Sequence, residues 1–407
     1  MKVKRYLKHF KFTVSTVEEA IYECLDGVGN SNKRWNRMDT AYFLADYLII
    51  LDKSEGLQRY ELAHNLHTFI ITEEKYREML SGLINDIAKD IYKEIVNKKI
   101  ELEPIKYKFR YDRSSQKIRK IGLASIKQQV YDHIMVRVCK EMFMNKIGTY
   151  QCASIKGRGQ VFGKNVIETW IRMKPKQCKW IWKGDVRKFY PSVPHDKLKN
   201  LLRRDIKNND VLYVLFFLID TYGDKGLCIG SYLSQFLANY YLSYAYHFLS
   251  EKCFTIRKKR NGTQERIRLI RFQLFYMDDI ILFSPNKKYL KKCVKMFIKY
   301  LGDELGLDVK ESHQLFPLDS RPIDMMGYRI YTYKTTVRKR IFKKANPIVS
   351  KYKKKKKKMS IEVARAFMSY KGFFDNSNSI KYKRKTKFSR VFKKAREVIR
   401  REARDNV

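Results

Sequence analysis

No stretch of this 407-residue sequence is apolar for long enough to cross a membrane. The longest apolar run, Val211 to Ile219, falls far short of the ~20 residues a spanning helix needs. The basic opening MKVKRYLKHF lacks the apolar stretch of a secretory signal, so the expectation is a protein that stays in the cytoplasm. The seven cysteines, at 24, 139, 152, 178, 228, 253 and 293, form no CxxC pair, which argues for reduced core thiols over disulfides or a zinc site. No internal repeat is visible. Acidic residues are also scarce: 42 Asp and Glu face 87 Lys and Arg, a formal net charge of +45. That excess exceeds what solubility needs and predicts a polyanionic partner. Apolar residues make up 44% of the chain, enough for a large core, and the length allows two or three domains.

Residues 1 to about 100 show helical periodicity, with Tyr42, Leu44, Tyr47, Leu48 and Leu51 spaced along one face, and are expected to form a helical N-terminal extension. His64 and His67 there have no third ligand candidate nearby and read as surface or core histidines. From Ile105 the pattern shifts to a basic β-hairpin, KYKFRYDR and KIRKIGL, turning at Ser114 and Ser115. A helix is expected over 122–145 and a Gly-rich basic loop over 150–165. The loop is not a phosphate-binding P-loop, because five residues separate Gly157 from Gly163 and Asn165 stands where Ser or Thr belongs.

A strand within 179–190 ends on Asp185, and a long helix over 230–250 follows Gly230. Asn261-Gly262 between basic arms marks a second hairpin. Residues 270–283 read as two apolar strands interrupted by a polar pair, 288–305 as an amphipathic helix and Met325–Tyr333 as a strand. The tail from about residue 336 is helical and very basic, includes Lys353 to Lys358, and carries roughly half of the excess charge. The whole predicts an α+β fold, an antiparallel sheet with helices on one face.

The most informative segment is Phe275-Tyr276-Met277-Asp278-Asp279-Ile280-Ile281-Leu282-Phe283. Adjacent carboxylates between apolar strands repel and lose water unless a cation compensates, a role suited to a divalent metal. The blander alternative is a hairpin turn with a solvated Asp pair. Asp185 also ends an apolar strand and precedes Phe189 and Tyr190. Three carboxylates converging at strand ends can hold two Mg²⁺ ions roughly 4 Å apart, the arrangement used for phosphoryl transfer. Gly230 then opens a helix whose N-terminus favours a phosphate, although an ordinary helix start explains this glycine equally well.

The order of acidic strand end, Gly-led helix and YMDD resembles the palm motifs of reverse transcriptases over roughly residues 105 to 335. The chain looks most similar to enzymes of diversity-generating retroelements, relatives of group II intron and retron reverse transcriptases. The motif IGSYLSQ stands where most members have Gln-Gly-x-x-x-Ser-Pro, and YQCASIKG, KFYPSV, LANYYLS, GYRI and SYKGFF also match.

The resemblance implies a right-hand polymerase with fingers and palm over 101–335 and a basic helical thumb over 336–407, behind the 1–100 extension. It implies that Asp185, Asp278 and Asp279, with the carbonyl of Val186, hold two Mg²⁺ ions. Tyr190 would be the steric gate that excludes a 2′-hydroxyl. Lys117 and Arg119 would grip the triphosphate, a role suited to charge-assisted hydrogen bonds, although a solvated basic hairpin explains them about as well. Ile229, Gly230 and Gln235 would line the nucleotide pocket, Lys156 the template path, and Lys310 falls near the leaving pyrophosphate. Ile229, apolar where most relatives carry Gln, predicts loosened base discrimination.

The implied partners are an RNA template, its cDNA, deoxynucleoside triphosphates, a cognate structured RNA and an accessory subunit, with no membrane. The expected activity is low-fidelity RNA-directed DNA synthesis in a diversity-generating retroelement of a bacterium or phage. The alternatives are a reverse transcriptase of antiphage defence, favoured by the long N-terminal region, an RNA-templated RNA polymerase, disfavoured by Tyr190, and a non-catalytic RNA-binding scaffold, disfavoured by three intact carboxylates. No endonuclease or ribonuclease H signature is present.

Overall fold

The computed structural model describes residues 5–27, 34–72, 80–112, 117–353 and 358–405. Its first half runs α1 (Val14–Asp26), α2 (Met38–Ile50), α3 (Arg59–Thr72), α4 (Ser81–Asn97), β1 (Lys106–Asp112), β2 (Lys117–Leu123), α5 (Ile126–Lys146), β3 (Gln151–Cys152) and α6 (Gln160–Met173). Then come β4 (Trp180–Asp185), α7 (Phe189–Ser192), α8 (His195–Asp205), α9 (Asn209–Asp220), α10 (Tyr232–Glu251), β5 (Phe254–Lys258), β6 (Gln264–Arg268), β7 (Phe272–Tyr276) and β8 (Asp279–Ser284). The remainder is α11 (Lys287–Asp303), β9 (Gln314–Pro317), β10 (Ile323–Met325), β11 (Tyr328–Ile330), β12 (Thr335–Val337), α12 (Lys339–Tyr352), α13 (Ile361–Asp375), α14 (Ile380–Lys385) and α15 (Phe388–Asp405). The α+β class expected from the sequence is the one found, and it is compatible with a right-hand polymerase fold.

The chain divides into two compact units. One comprises Met1–Gly148, Arg187–Ala245 and Tyr300–Asp308; the other comprises Thr149–Val186, Tyr246–Lys299 and Val309–Val407. In the first, the apolar stripes of α1 (Val17, Ile21, Cys24) and α4 (Ile84, Ile87, Ile91) pack with each other, and α1 also packs against α5. The hairpin β1–β2 belongs to this unit; its turn at Ser114 and Ser115 lies outside the described residues.

The second unit is built on a five-stranded sheet in the order β3-β7-β8-β4-β9. The strand β8 reads as a nearly unbroken apolar run because both of its faces are covered. On one face Ile181, Leu274, Ile281 and Phe283 share a core with Ile167, Trp170 and Ile171 of α6. On the other, Trp182 and Phe275 meet Phe297 of α11 with ring centroids 6.0 and 6.1 Å apart. Each such fully buried side chain contributes about 1.5–3 kcal/mol. The basic tail forms a core of its own, with Val349, Phe367, Phe374, Phe388 and Val391 from its helices.

The details correct five expectations. Helices cover both faces of the sheet and not one, with α6 on one side and α11 on the other. The sheet is not wholly antiparallel, since β3 runs parallel to β7. The loop over 150–165 is shorter, because a helix already begins at Gln160. The expected strand over 325–333 is two short strands, bent at Met326 and Gly327, which both have positive φ. Finally, the long helix opens at Tyr232, not Gly230, because Ser231 caps it by accepting the Ser234 N–H at 3.0 Å. All seven cysteines are buried and free, as the scattered spacing predicts. No helix among the described residues is long and apolar enough to cross a membrane.

Candidate active site

The YMDD segment is a two-residue hairpin turn: Tyr276 pairs with Asp279, leaving Met277 and Asp278 at the bend. Met277 takes φ 51°, a left-handed conformation that hairpins usually assign to Gly or Asn. The turn is held from three sides. Met277 N–H donates to the Cys152 carbonyl at 3.3 Å, and Val186 N–H donates to the Asp278 carbonyl at 3.1 Å. Across β4 and β8, Asp185 lies directly opposite Asp279. Strand register therefore places these two side chains on one face, with Asp278 adjoining.

Burial, reinforced by Asp185 and Asp279, pushes the Asp278 carboxyl up to about 6. Asp279 is raised by burial and by Asp185, against the opposing pull of Lys183, Arg338 and Lys310. Lys310 N–H donates to the Asp185 carbonyl at 2.9 Å, and its ammonium forms an ion pair with the Asp185 carboxylate. Lys183 lies 3.9 Å from Asp279 and donates to the Asp324 carbonyl at 2.8 Å; Asp324 in turn pairs with Arg338. Lys183 and Arg338 border a cleft of about 630 Å³ that Arg321, Arg329 and Arg340 also line. Neither Lys183 nor Arg338 stood out in so lysine-rich a sequence.

The donors fit Mg²⁺ in kind: hard carboxylate oxygens, partly buried, whose mutual repulsion a cation relieves. Among the described residues no group of three His, Cys, Asp or Glu side chains is placed to hold a metal ion. Mg²⁺ sites commonly use one or two carboxylates and take their remaining ligands from water and substrate phosphates, so a three-side-chain cage is not required. Lys156 is exposed at the tip of the loop after β3, and Gly163 is a packing glycine: a Cβ there would meet Met326 Sδ at 2.5 Å.

The remaining candidates belong to the first unit. Strand alternation gives the β1–β2 hairpin two unlike faces. Tyr107, Phe109 and Tyr111 lie opposite Gly122, Lys120 and Ile118, whereas Lys108 and Arg110 lie opposite Ile121 and Arg119. Arg110 and Arg119 face one another in register, a like-charge pairing that an anion would relieve. Lys117 and Arg119 are exposed on β2. Tyr190, half-buried in α7, offers its carbonyl to Leu227 N–H at 2.8 Å, and the Ile229 carbonyl accepts from Gly122 N–H at 2.8 Å. Gly230 has φ 121°, and a Cβ there would stand 2.5 Å from the Gly122 carbonyl oxygen. The close approach expected of this glycine is thus to protein backbone. Gln235 lies half-buried in the first turn of α10. The fold therefore gathers Tyr190, Ile229, Gly230 and the end of β2 around one loop.

The family model described as reverse transcriptase (RNA-dependent DNA polymerase) matches residues 104–330, more than half of the chain. The chain belongs to the reverse transcriptase family. As a reverse transcriptase it is an RNA-directed DNA polymerase, a nucleotidyltransferase. The matched span contains Asp185, Asp278 and Asp279 together with every nucleotide and template candidate named above. Among solved structures, apo telomerase from Candida tropicalis is similar at 13% identity and a TM-score of 0.43, over 99% of this chain and 81% of that one. Telomerase from Candida tropicalis in complex with a TWJ fragment of telomeric RNA is similar at 12% identity and a TM-score of 0.40, over 95% and 78% of the two chains. No curated protein matches the reverse transcriptase sequence.

Proposed function

We propose that this reverse transcriptase extends a DNA or RNA 3′ end on an RNA template by two-metal nucleotidyl transfer centred on Asp185 and Asp278. The observation that carries the reading is the register of β4 against β8, which sets Asp185 opposite Asp279 beside the Asp278 turn. Two Mg²⁺ ions, when bound, would activate the attacking 3′-hydroxyl and stabilise the leaving oxygen of the pyrophosphate. Asp185 and Asp278 would hold them, aided by Asp279 and the Val186 carbonyl. Lys310, paired with Asp185, is positioned to share that carboxylate's charge until substrate arrives.

Lys117 and Arg119 are assigned to the triphosphate, Tyr190 to exclusion of ribonucleotides, Ile229, Gly230 and Gln235 to the nucleotide pocket, and Lys156 to the template. The 336–407 tail is assigned to a thumb that tracks duplex phosphates, and residues 1–100 to an extension that engages a cognate RNA or an accessory subunit. Ile229 supports permissive copying of the kind a diversity-generating retroelement uses; service in antiphage defence is the alternative role.

Primer extension on an RNA template with labelled deoxynucleotides or ribonucleotides tests the reading. Wild type is expected to incorporate deoxynucleotides in Mg²⁺, and Asp278→Ala to lose incorporation by several orders of magnitude. Incorporation that survives Asp278→Ala would refute the site assignment. The neighbouring DNA separates the two roles: a template repeat paired with a variable repeat indicates diversification, and absence of that pair indicates defence.

A further inference from the structure

Helix α5 carries a carboxylate that the polymerase reading does not use. Asp132 is fully buried, and its Oδ2 accepts from Ser231 Oγ at 2.7 Å and from Tyr232 N–H at 3.0 Å. Its Oδ1 is buried with no hydrogen-bond partner. A buried carboxylate with half of its acceptor capacity unmet is an expensive residue to keep in a helix core, where an apolar side chain would serve packing better.

What it holds is the loop before α10. Ser231 Oγ is saturated: it donates to Asp132, accepts from Ser234 N–H at 3.0 Å, and shares a 3.0 Å hydrogen bond with Tyr222 OH. Two neighbours on α5 hold the same segment. Gln128 donates to Thr221 Oγ1 at 2.8 Å, and the His133 ring stacks on Tyr232 with centroids 4.3 Å apart. On its other side the loop is strapped to β2 by the hydrogen bond from Gly122 N–H to the Ile229 carbonyl, and by the close approach of Gly230 to Gly122. Ile229 and Gly230 are thus suspended between a backbone strap from the hairpin and a polar anchor from α5.

We propose that Asp132, acting through Ser231 and Tyr222, is a positioning group that fixes Ile229 and Gly230 and thereby sets the enzyme's KM and selectivity for deoxynucleotides. The proposal rests on the reading that those two residues line the nucleotide pocket. A misplacement of about 1 Å in a substrate-positioning element can reduce catalysis a hundredfold, so a short polar anchor suffices to govern the pocket.

Steady-state primer extension with Asp132→Ala, Asp132→Asn, Ser231→Ala and Tyr222→Phe decides it, with active enzyme titrated against primer-template. Asp132→Ala and Ser231→Ala are expected to raise the deoxynucleotide KM roughly ten- to hundredfold and to increase misincorporation, while kcat per active enzyme falls less than about threefold. Asp132→Asn, which keeps an acceptor for Ser231, is expected to restore KM to within about threefold of wild type. If Asp132→Ala does not fold, Ser231→Ala and Tyr222→Phe carry the same comparison. Variants with a reduced active fraction but unchanged KM and error spectrum would overturn the proposal and leave Asp132 a purely structural residue. A wild type that incorporates no deoxynucleotide would instead overturn the polymerase reading on which the proposal stands.

Discussion

Asp132→Asn is expected to make the folded state less sensitive to pH between about 4 and 7, by an amount that follows from the burial of the carboxylate. Burial pushes Asp132 from the ordinary 3.8 up to about 6, outweighing the hydrogen bonds from Ser231 and Tyr232 N–H and the pull of the nearby Leu233 N–H and Arg34. The folded state therefore holds its proton more tightly than the unfolded chain does. Stability from this group is fully present below pH 3.8, erodes as pH rises, and is gone above about 6. At ~1.4 kcal/mol per pH unit, the rise corresponds to about 3 kcal/mol. Asn carries no titrating proton, so the variant escapes that loss. Urea unfolding of wild type and variant at pH 4, 5, 6 and 7 measures it: the variant's stability relative to wild type should climb by about 2.5 kcal/mol across the range, the first few tenths having been lost below pH 4. The other raised carboxyls, Glu23, Asp278 and Asp279, titrate equally in both proteins and cancel in the difference. A difference that stays flat from pH 4 to 7 would refute the reasoning and show that Asp132 finds in the fold the solvation it has in water.

Three further outcomes follow from the proposed residue roles. Ile229→Gln supplies an amide to the pocket, and sequencing of copied cDNA should show fewer errors, most clearly at template adenines; an unchanged error spectrum would sever Ile229 from fidelity. Tyr190→Val removes the proposed gate, and the preference for deoxynucleotides over ribonucleotides in primer extension should fall at least tenfold; retained discrimination would place the gate elsewhere. Replacing Lys353 to Lys358 with Gln should flatten the salt dependence of template binding by about 0.9 in log–log slope for each lysine that neutralises a phosphate. An unchanged slope would make this run, of which 354–357 lie outside the described residues, a solvated segment.

The clustering of Asp185, Asp278 and Asp279 was legible because its signal is local. Two apolar strands meeting at an acidic pair announce an expensive charge, and Asp185 repeats the pattern at the end of β4. The hairpins around Asn261-Gly262 and from Ile105 were legible for the same reason. The strand expected over 325–333 was misjudged because apolar alternation does not reveal that Met326 and Gly327 turn with positive φ. The helix start was displaced to Tyr232 because Gly230 marks a left-handed bend, and the capping hydroxyl belongs to Ser231. Asp132 was missed although it is the lone acid among Val130, Tyr131, Ile134 and Met135; its partner Ser231 lies 99 positions away, beyond the reach of any local periodicity.

That contrast shows how a highly basic chain keeps its few buried acids. Asp185 is matched by Lys310 and Asp279 by Lys183, pairs whose side chains remain about a quarter to a third exposed, where an ion pair contributes little to stability. On the proposed two-metal reading, their value lies in balancing charge where phosphate and metal would bind, a place where a fully desolvated pair would resist exchange. Asp132, by contrast, is closed off from water and bound to a hydroxyl and a backbone N–H. The first pattern leaves carboxylates available for exchange with ligands; the second spends a carboxylate on geometry.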